Sequence, residues 1–174
     1  MSLDFTGRVA IVTGAGDGLG LKHAVALAAR DTRVVVNDFG GARDGIGGIG
    51  GIDGIGGTGG AGGSSGIGGI RGTGGCSAAA QALVDEIRAA GGQARAHGAS
   101  VTDMAAVQDM VDQTVAAWGR VDVLVNNAGV LRDKSFAKKS LEDFRFVLDV
   151  HLMGAVHCCK AVWPHMQAQQ YACT

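Results

Sequence analysis

A glycine-rich segment near the amino terminus constrains the fold of this chain more than any other feature. Residues 13–20 read Thr-Gly-Ala-Gly-Asp-Gly-Leu-Gly, between an apolar run at 8–12 and an apolar-periodic stretch that ends near Arg30. This order predicts a strand, a tight turn and a helix, and glycine lets the backbone approach a ligand closely. The helix would direct its free N–H groups and the positive end of its dipole at the turn, which favours a dinucleotide pyrophosphate there. The alternative is a tight turn that binds nothing.

A second strand and an acidic residue follow the glycine turn at the distance that a dinucleotide site requires. The run from Val34 to Asn37 predicts a fully buried parallel strand, and Asp38 stands at its carboxyl end, eighteen residues past Gly20. A carboxylate there can accept hydrogen bonds from the adenosine ribose hydroxyls and would repel a 2′-phosphate. The residue therefore favours NAD over NADP as the cofactor. The alternative is a solvated loop aspartate.

Helix-like and strand-like patterns alternate along the rest of the chain. The predicted elements are a helix with an apolar face at Ala80, Leu83, Val84 and Ile87, a strand at 94–97, a helix capped by Thr102 and ended by Gly119, a strand at 121–126, a helix begun by Ser140 and a final helix after Gly154. The last of these is expected to bury Ala155, Cys159, Val162 and Met166. Such alternation is typical of a parallel sheet covered by helices on both faces.

One long segment does not fit this alternation. From Gly40 to Gly75 the chain is dominated by glycine, with isoleucines at every third position in Ile46, Ile49, Ile52 and Ile55. A collagen-like structure needs many prolines, whereas this sequence has one, Pro164. Isolated isoleucines cannot bury enough surface to offset the ordering entropy of so much glycine. We therefore predict one domain, 1–174, with a flexible insertion at about 40–75, for which a lid is the alternative role.

Composition excludes several classes of partner. Apolar residues make up 47% of the chain and charged residues 18%, and the net charge is -1. These values predict neither a nucleic acid nor a membrane as partner, and no apolar run approaches the length of a membrane span. The four cysteines have no metal-ligand spacing, so we expect reduced thiols, no metal site and a cytoplasmic location. They are Cys76, Cys158, Cys159 and Cys173.

The glycine spacing Thr-Gly-x-x-x-Gly-x-Gly, with Asn126-Asn127-Ala128-Gly129 after a later strand, resembles the short-chain dehydrogenase/reductase family. The segments 34–41, 126–136, 151–154 and 161–166 resemble more narrowly the (3R)-hydroxyacyl-CoA dehydrogenase domain of peroxisomal multifunctional enzymes and their bacterial relatives. This resemblance implies a Rossmann-type, doubly wound α/β fold with strand order 3-2-1-4, truncated after the fourth strand and its following helices. It also implies NAD(H) as the cofactor and an acyl-CoA-like 3-hydroxy substrate.

The resemblance assigns cofactor-binding roles to ten positions, which are Gly14, Asp17, Gly18, Leu19, Gly20, Asp38, Val101, Asn126, Ala128 and Gly129. At two points the chain departs from the family pattern. Residues 99–101 offer no carboxylate for the adenine amino group, so Val101 is expected to pack on the adenine instead. Asp31 stands where a helix-ending glycine is usual and is expected to adopt the left-handed conformation.

His151 stands where many family members have an active-site asparagine that holds a proton-relay water through its helix backbone. A role through the backbone survives that exchange, and a partly buried structural histidine is the alternative. The family's proton donor is a tyrosine in Tyr-x-x-x-Lys, assisted by a serine on the fifth strand. The one tyrosine here, Tyr171, falls too early for this role, and the sequence stops at Thr174. We therefore assign no catalytic residue.

Two function classes remain open on the sequence alone. The first is an NAD-dependent short-chain dehydrogenase by descent, catalytically incomplete as given. The second is a non-catalytic nucleotide-binding or interaction domain, and the reading frame beyond Thr174 would distinguish the two. We also expect self-association, because Val121 to Asn126 would form an exposed apolar strand edge without a fifth strand beside it.

Overall fold

The computed structural model describes residues 4–40 and 75–173, which form a four-stranded parallel sheet with helices on both faces. The strands are β1 (Val9–Thr13), β2 (Arg33–Asn37), β3 (Ala94–His97) and β4 (Val123–Val125). They lie in the order β3-β2-β1-β4, which confirms the predicted doubly wound α/β fold and its strand order. The predicted insertion at about 40–75 lies, apart from its first and last residues, outside the described residues.

The helices lie in two layers on opposite faces of the sheet. They are α1 (Gly18–Ala28), α2 (Ala78–Ala89), α3 (Met104–Trp118), α4 (Leu141–Leu148) and α5 (Gly154–Gln169). Successive side chains of a strand point to opposite faces, so Ile11 of β1 packs with α3 and α5, whereas Val12 packs with α1 and α2. All five residues of β1 are buried, which explains why this strand reads as a continuous apolar run.

The start of α3 differs from the start that the sequence predicted. Asp103, and not Thr102, is the N-cap of this helix, and its Oδ1 accepts hydrogen bonds from the N–H groups of Ala105 (2.9 Å) and Ala106 (3.2 Å). The Thr102 hydroxyl instead pairs with that of Ser100 at 2.8 Å. An N-cap must directly precede the first helical residue, and Asp103 holds that place in an extended conformation.

Other predicted helix ends are confirmed. Ser140 caps α4 through a 3.1 Å hydrogen bond from the Asp143 N–H group. Gly119 ends α3 with a φ of 77°, and Asp31 adopts the left-handed conformation with a φ of 60°. Both residues end helices that must turn back toward the sheet, where a left-handed residue lets the chain reverse.

The carboxyl-terminal helix is longer than the sequence indicated, and its buried face differs in part from the predicted one. α4, a π-helical segment at Asp149–Met153 and α5 join into one helix, and α5 buries Cys158, Ala161, Val162 and Met166. The predicted stripe was therefore wrong at Ala155 and Cys159, which are only half-buried. Gly154 and Cys158 are buried in their place, one residue earlier in each case, whereas Val162 and Met166 are buried as predicted.

The same helix differs from the expectation that no apolar run approaches the length of a membrane span. Leu141–Gln169 comprises 29 residues, and its most apolar window has a mean hydropathy of 1.3 with 28% of the window buried. By length and composition alone such a helix could cross a membrane. A single helix of this kind is weak evidence, because the core helix of a water-soluble protein can meet the same criterion.

The segment after α5 pairs with β4. The Cys173 N–H group donates to the Asp122 carbonyl oxygen (3.0 Å), and the Leu124 N–H group donates to the Cys173 carbonyl oxygen (2.8 Å). Cys173 thereby forms a parallel bridge opposite Val123. The expectation that the whole of this strand edge is unpaired was therefore wrong, because the chain itself satisfies these two main-chain groups.

A buried carboxylate ties the amino ends of the central strands together. Asp122 is fully buried, and its side chain accepts hydrogen bonds from the Val9 N–H group (2.9 Å), Arg8 (3.0 Å) and Arg120 (2.8 Å). The Arg8 guanidinium also lies 3.8 Å from the ring centroid of Tyr171, which brings the carboxyl-terminal segment to the same cluster. Burial raises the pKa of Asp122, but the hydrogen bonds from Arg120, Val9 and Arg8 outweigh it and hold that pKa below its ordinary value.

We expect Asp122→Asn to lower the free energy of unfolding by about 2–3 kcal/mol, since it removes the buried charge that both arginines contact. Urea unfolding at neutral pH measures this change, and Asp112→Asn on the exposed face of α3 is the matched control. Because the pKa of Asp122 is lower in the folded state, its stabilising contribution is complete above the unfolded pKa of about 3.9 and is lost as the pH falls through the folded value. Equal stability of both variants and the parent would contradict the assignment.

Candidate functional site

The glycine turn joins the carboxyl end of β1 to the amino end of α1. Gly14 and Gly18 have φ values of 61° and 60°, in the left-handed region that favours glycine. Asp17 lies between the turn and the helix as the N-cap of α1, where its side chain accepts a hydrogen bond from the Gly18 N–H group at 2.7 Å. The Leu19 side chain is 73% exposed at this helix start. The predicted strand, turn and helix are therefore confirmed, and the helix begins at the turn as an anion site requires.

The turn packs directly against the loop that follows β4. A Cβ atom on Gly14 would lie 2.8 Å from the Cα atom of Ala128, a distance that side chains do not tolerate. A Cβ atom on Gly20 would lie 3.0 Å from the Cα atom of Ala15 and still closer to the Gly14 carbonyl oxygen. The structure thus brings Gly14, Gly20 and Ala128 together, and their small size is what allows backbone to lie on backbone.

Thr13 and Asn127 form a reciprocal clamp across this contact. The Thr13 hydroxyl oxygen accepts hydrogen bonds from the N–H groups of Asn127 and Ala128, both at 3.1 Å. The Asn127 side-chain amide donates to the carbonyl oxygens of Thr13 (3.0 Å) and Gly14 (2.9 Å). These bonds satisfy main-chain groups that a tight turn leaves without partners. Neither residue was among the predicted site residues, although both stand at the ends of strands that the predicted order makes neighbours.

Asp38 stands directly after β2, as the sequence predicted, and its carboxylate reaches the glycine turn. Its Oδ2 accepts a hydrogen bond from the Gly16 N–H group at 2.8 Å, and its Oδ1 accepts one from the Gly40 N–H group at 2.7 Å. The Asp38 carbonyl oxygen accepts from the Ser77 N–H group at 3.1 Å, directly before α2. The half-buried carboxylate is therefore an ordered part of the turn.

The loop after β3 is held by neighbouring elements on both sides. The Asn37 side chain exchanges two hydrogen bonds with the main chain of Ala99, at 3.1 and 2.9 Å. The Val101 carbonyl oxygen lies 2.9 Å from His157 Nδ1, and a Cβ atom on Gly154 would lie 2.6 Å from Val101 Cγ2. Val101 is therefore nearly buried against α5, with 7% of its surface exposed. Asn37 is a further residue that the sequence analysis did not assign to the site.

His151 contacts the loop after β4 through its side chain. It lies in the π-helical segment, and its Nε2 stands 2.9 Å from the Val130 carbonyl oxygen and 3.0 Å from the Val130 nitrogen. A Cβ atom on Gly129 would lie 2.9 Å from the His151 ring. The Asn126 side chain reaches the Cys159 sulfur at 3.5 Å. His151 is exposed.

A small cleft opens where these loops meet, at the carboxyl ends of β1 and β4. It is lined by Thr13, Val101, Asn126, Ala128, Val150, His151, Gly154 and Ala155. Val101, Asn126 and Ala128 of the predicted site line this cleft, whereas Gly14, Gly20 and Asp38 lie at the adjoining turn. A larger cavity of about 380 Å³ lies away from the turn, between Thr102 and the α4–α5 helix, and contains none of the predicted site residues.

Comparison with known proteins identifies relatives over nearly the whole chain. The family model described as short chain dehydrogenase matches residues 61–172. Peroxisomal multifunctional enzyme type 2 of Drosophila melanogaster is 43% identical over 97% of this chain, and a putative short-chain type dehydrogenase/reductase of Mycobacterium tuberculosis is 40% identical over 94%. The chain spans 23% and 48% of these two proteins. The crystal structure of a short chain dehydrogenase from Mycobacterium avium matches 99% of this chain and 52% of that one, with 39% identity and a TM-score of 0.71.

We expect Asn127→Ala to lower the free energy of unfolding by about 1–3 kcal/mol, because it leaves the Thr13 and Gly14 carbonyl oxygens without their donor. The matched control is Asn126→Ala in the adjacent position, where the residue is exposed and its side-chain amide donates a 3.5 Å hydrogen bond to the Cys159 sulfur. Urea unfolding of both variants measures the difference. An Asn126 variant that loses as much stability as the Asn127 variant would refute the clamp.

Proposed function

This chain belongs to the short-chain dehydrogenase family. From that premise we propose that it binds NAD at the glycine turn and is the cofactor-binding part of an NAD-dependent oxidoreductase. Members of this family generally use NAD or NADP as the cofactor. The preference for NAD is our proposal, and the contact between Asp38 and the glycine turn carries it.

The residues at the carboxyl ends of the strands fit a dinucleotide. Gly14, Gly18, Leu19 and Gly20 would hold the pyrophosphate through main-chain N–H groups at the start of α1, where the helix dipole favours an anion. Asp17 would fix this helix start through its N-cap bond to the Gly18 N–H group. When bound, the nicotinamide supplies hydride transfer to or from the substrate.

The remaining predicted residues would hold the two ends of the cofactor. Asp38 would accept hydrogen bonds from the adenosine ribose, and Val101 would pack against the adenine. Asn126, Ala128 and Gly129 would line the path toward the nicotinamide ribose, where small residues allow close approach. His151 would position this path by holding Val130, whose main chain lies within hydrogen-bond distance of its Nε2.

We propose a 3-hydroxyacyl-CoA or a similar 3-hydroxy thioester as the substrate of the whole protein. The resemblance of segments 34–41 and 126–136 to hydroxyacyl-CoA dehydrogenase domains supports this class, as does the likeness to a peroxisomal multifunctional enzyme. Since the chain spans less than half of the two curated relatives described above, their full activities are proposals here and not findings.

We also propose that the chain is cytoplasmic and self-associates. All four cysteines are free, and burial, with a smaller effect of neighbouring Cys159, raises the pKa of the Cys158 thiol to about 12, so that it stays protonated. Free thiols are typical of a reducing compartment. Large exposed apolar side chains on the α4–α5 helix support association with other copies of the chain. These side chains belong to Leu141, Phe144, Leu148, Leu152, Met153, Val156 and Trp163.

Calorimetric titration of the chain with NAD and with NADP tests the cofactor proposal. We expect tighter binding of NAD, and we expect Asp38→Ala to weaken NAD binding by about 1–2 kcal/mol through loss of charged hydrogen bonds to the ribose. Asp112→Ala, on the exposed face of α3, is the control and should leave both affinities unchanged. Equal or reversed affinities in the parent chain would disprove the NAD preference.

The 174-residue chain should transfer no hydride between NAD and a (3R)-hydroxyacyl-CoA, because its sequence contains no Tyr-x-x-x-Lys to move the accompanying proton. Absence of this general acid–base group alone removes roughly 10²–10⁴ in rate. A spectrophotometric assay of NADH formation measures this, with a relative that contains Tyr-x-x-x-Lys as the positive control. Turnover comparable to that of the relative would show that the proton donor lies elsewhere in this chain.

A further inference from the structure

Gly16 lies within the glycine turn, but the turn itself does not require a glycine there. It occupies one of the variable positions of Thr-Gly-x-x-x-Gly-x-Gly, and no role was assigned to it from the sequence. Its φ lies outside the left-handed region, unlike those of Gly14 and Gly18. The residue is nonetheless buried. The space that its missing side chain leaves free therefore explains a glycine at this position.

The space beside Gly16 is filled by the carboxylate of Asp38. A Cβ atom on Gly16 would lie 2.7 Å from Asp38 Cγ and closer still to Asp38 Oδ2. Oδ2 is the atom that accepts the hydrogen bond from the Gly16 N–H group. On a second side the same Cβ atom would lie 3.3 Å from the Cβ atom of Ala79 in α2. Even a methyl group at this position would therefore force the carboxylate to move.

The carboxylate is also held from its other side. Its Oδ1 accepts a hydrogen bond from the Gly40 N–H group at 2.7 Å, and the Asp38 carbonyl oxygen accepts one from the Ser77 N–H group at 3.1 Å. The main chain of Asp38 is thus fixed at the start of α2. A side chain at position 16 would push the carboxylate aside while hydrogen bonds hold the Asp38 main chain in place. The hydrogen bond from the Gly16 N–H group to Asp38 would therefore be lost.

We propose that Gly16 is a specificity-determining residue, which admits the Asp38 carboxylate to the glycine turn and thereby sets the preference for NAD over NADP. The inference rests on the proposed function, in which Asp38 accepts hydrogen bonds from the adenosine ribose. A carboxylate fixed against the turn presents its remaining lone pairs to ribose hydroxyls and repels a 2′-phosphate. A carboxylate displaced by a side chain at position 16 neither binds the ribose hydroxyls nor repels a 2′-phosphate beside the turn.

The test compares the ratio of the NADP and NAD dissociation constants in Gly16→Ala, Gly16→Ser and the parent chain. We expect the ratio to fall by about tenfold in both variants, mainly through weaker NAD binding, as one charged hydrogen bond is lost. Gly75→Ala is the matched control, because a Cβ atom there meets no atom of the described residues within 4 Å and its φ lies outside the left-handed region. Urea unfolding of each variant establishes that it is folded.

A double-mutant cycle with Asp38→Ala shows whether the effect passes through the carboxylate. In the Asp38→Ala background, Gly16→Ala should leave the ratio unchanged. A ratio that Gly16→Ala does not alter in the parent, or alters equally in the Asp38→Ala background, would overturn the inference. A parent chain without NAD preference would instead show failure of the proposed function.

Asp38→Glu provides a second route if both Gly16 variants fail to fold. It retains the negative charge and the native turn, but its extra methylene removes the carboxylate from the Gly16 N–H group. The ratio should again fall by about tenfold. A ratio equal to that of the parent would show that charge alone, without placement by Gly16, decides the preference.

Discussion

The contact between the glycine turn and the loop after β4 is the constraint on which the rest of the candidate site depends. Main chain lies directly on main chain there, because Gly14 has no side chain to hold Ala128 away. The reciprocal hydrogen bonds of Thr13 and Asn127 then fix the two loops to each other. As a result, the start of α1 has a defined position relative to β4, and a helix terminus can recognise an anion only if its position is defined in this way.

Polar side chains extend this arrangement along the whole carboxyl edge of the sheet. Asn37 holds the loop after β3, Asp38 holds the glycine turn, and His151 holds the loop after β4. Each side chain satisfies main-chain groups that would otherwise lack partners where the strands end. The opposite edge is organised by one buried charge, since Asp122 joins β1 to β4 and to the arginines beside them. The candidate site and this buried charge thus lie at opposite ends of the same strands.

The sequence predicted the framework well because each of its signals is local. Buried parallel strands read as continuous apolar runs, helices show their core face at a period of 3.6 residues, and left-handed positions favour a few residue types. These rules identified all four strands, and the family resemblance added the left-handed Asp31. They failed by one residue at the N-cap of α3 and at the core face of α5, since neighbouring polar residues compete for a cap and packing partners decide which side of a helix is buried.

By itself the sequence determined the glycine turn, the alternation of strands and helices and the place of Asp38 at the end of a strand, because these are local patterns of residues. The order of the strands followed from the family resemblance that the sequence carries. Only the tertiary structure decided which atoms meet at the carboxyl ends of the strands. The clamp of Thr13 and Asn127 joins residues more than a hundred positions apart, and the need for glycine at position 16 is visible only beside the carboxylate that fills its space. The pairing of Cys173 with β4 belongs to the same class. Such contacts depend on distances between segments, and no local pattern of residues encodes a distance.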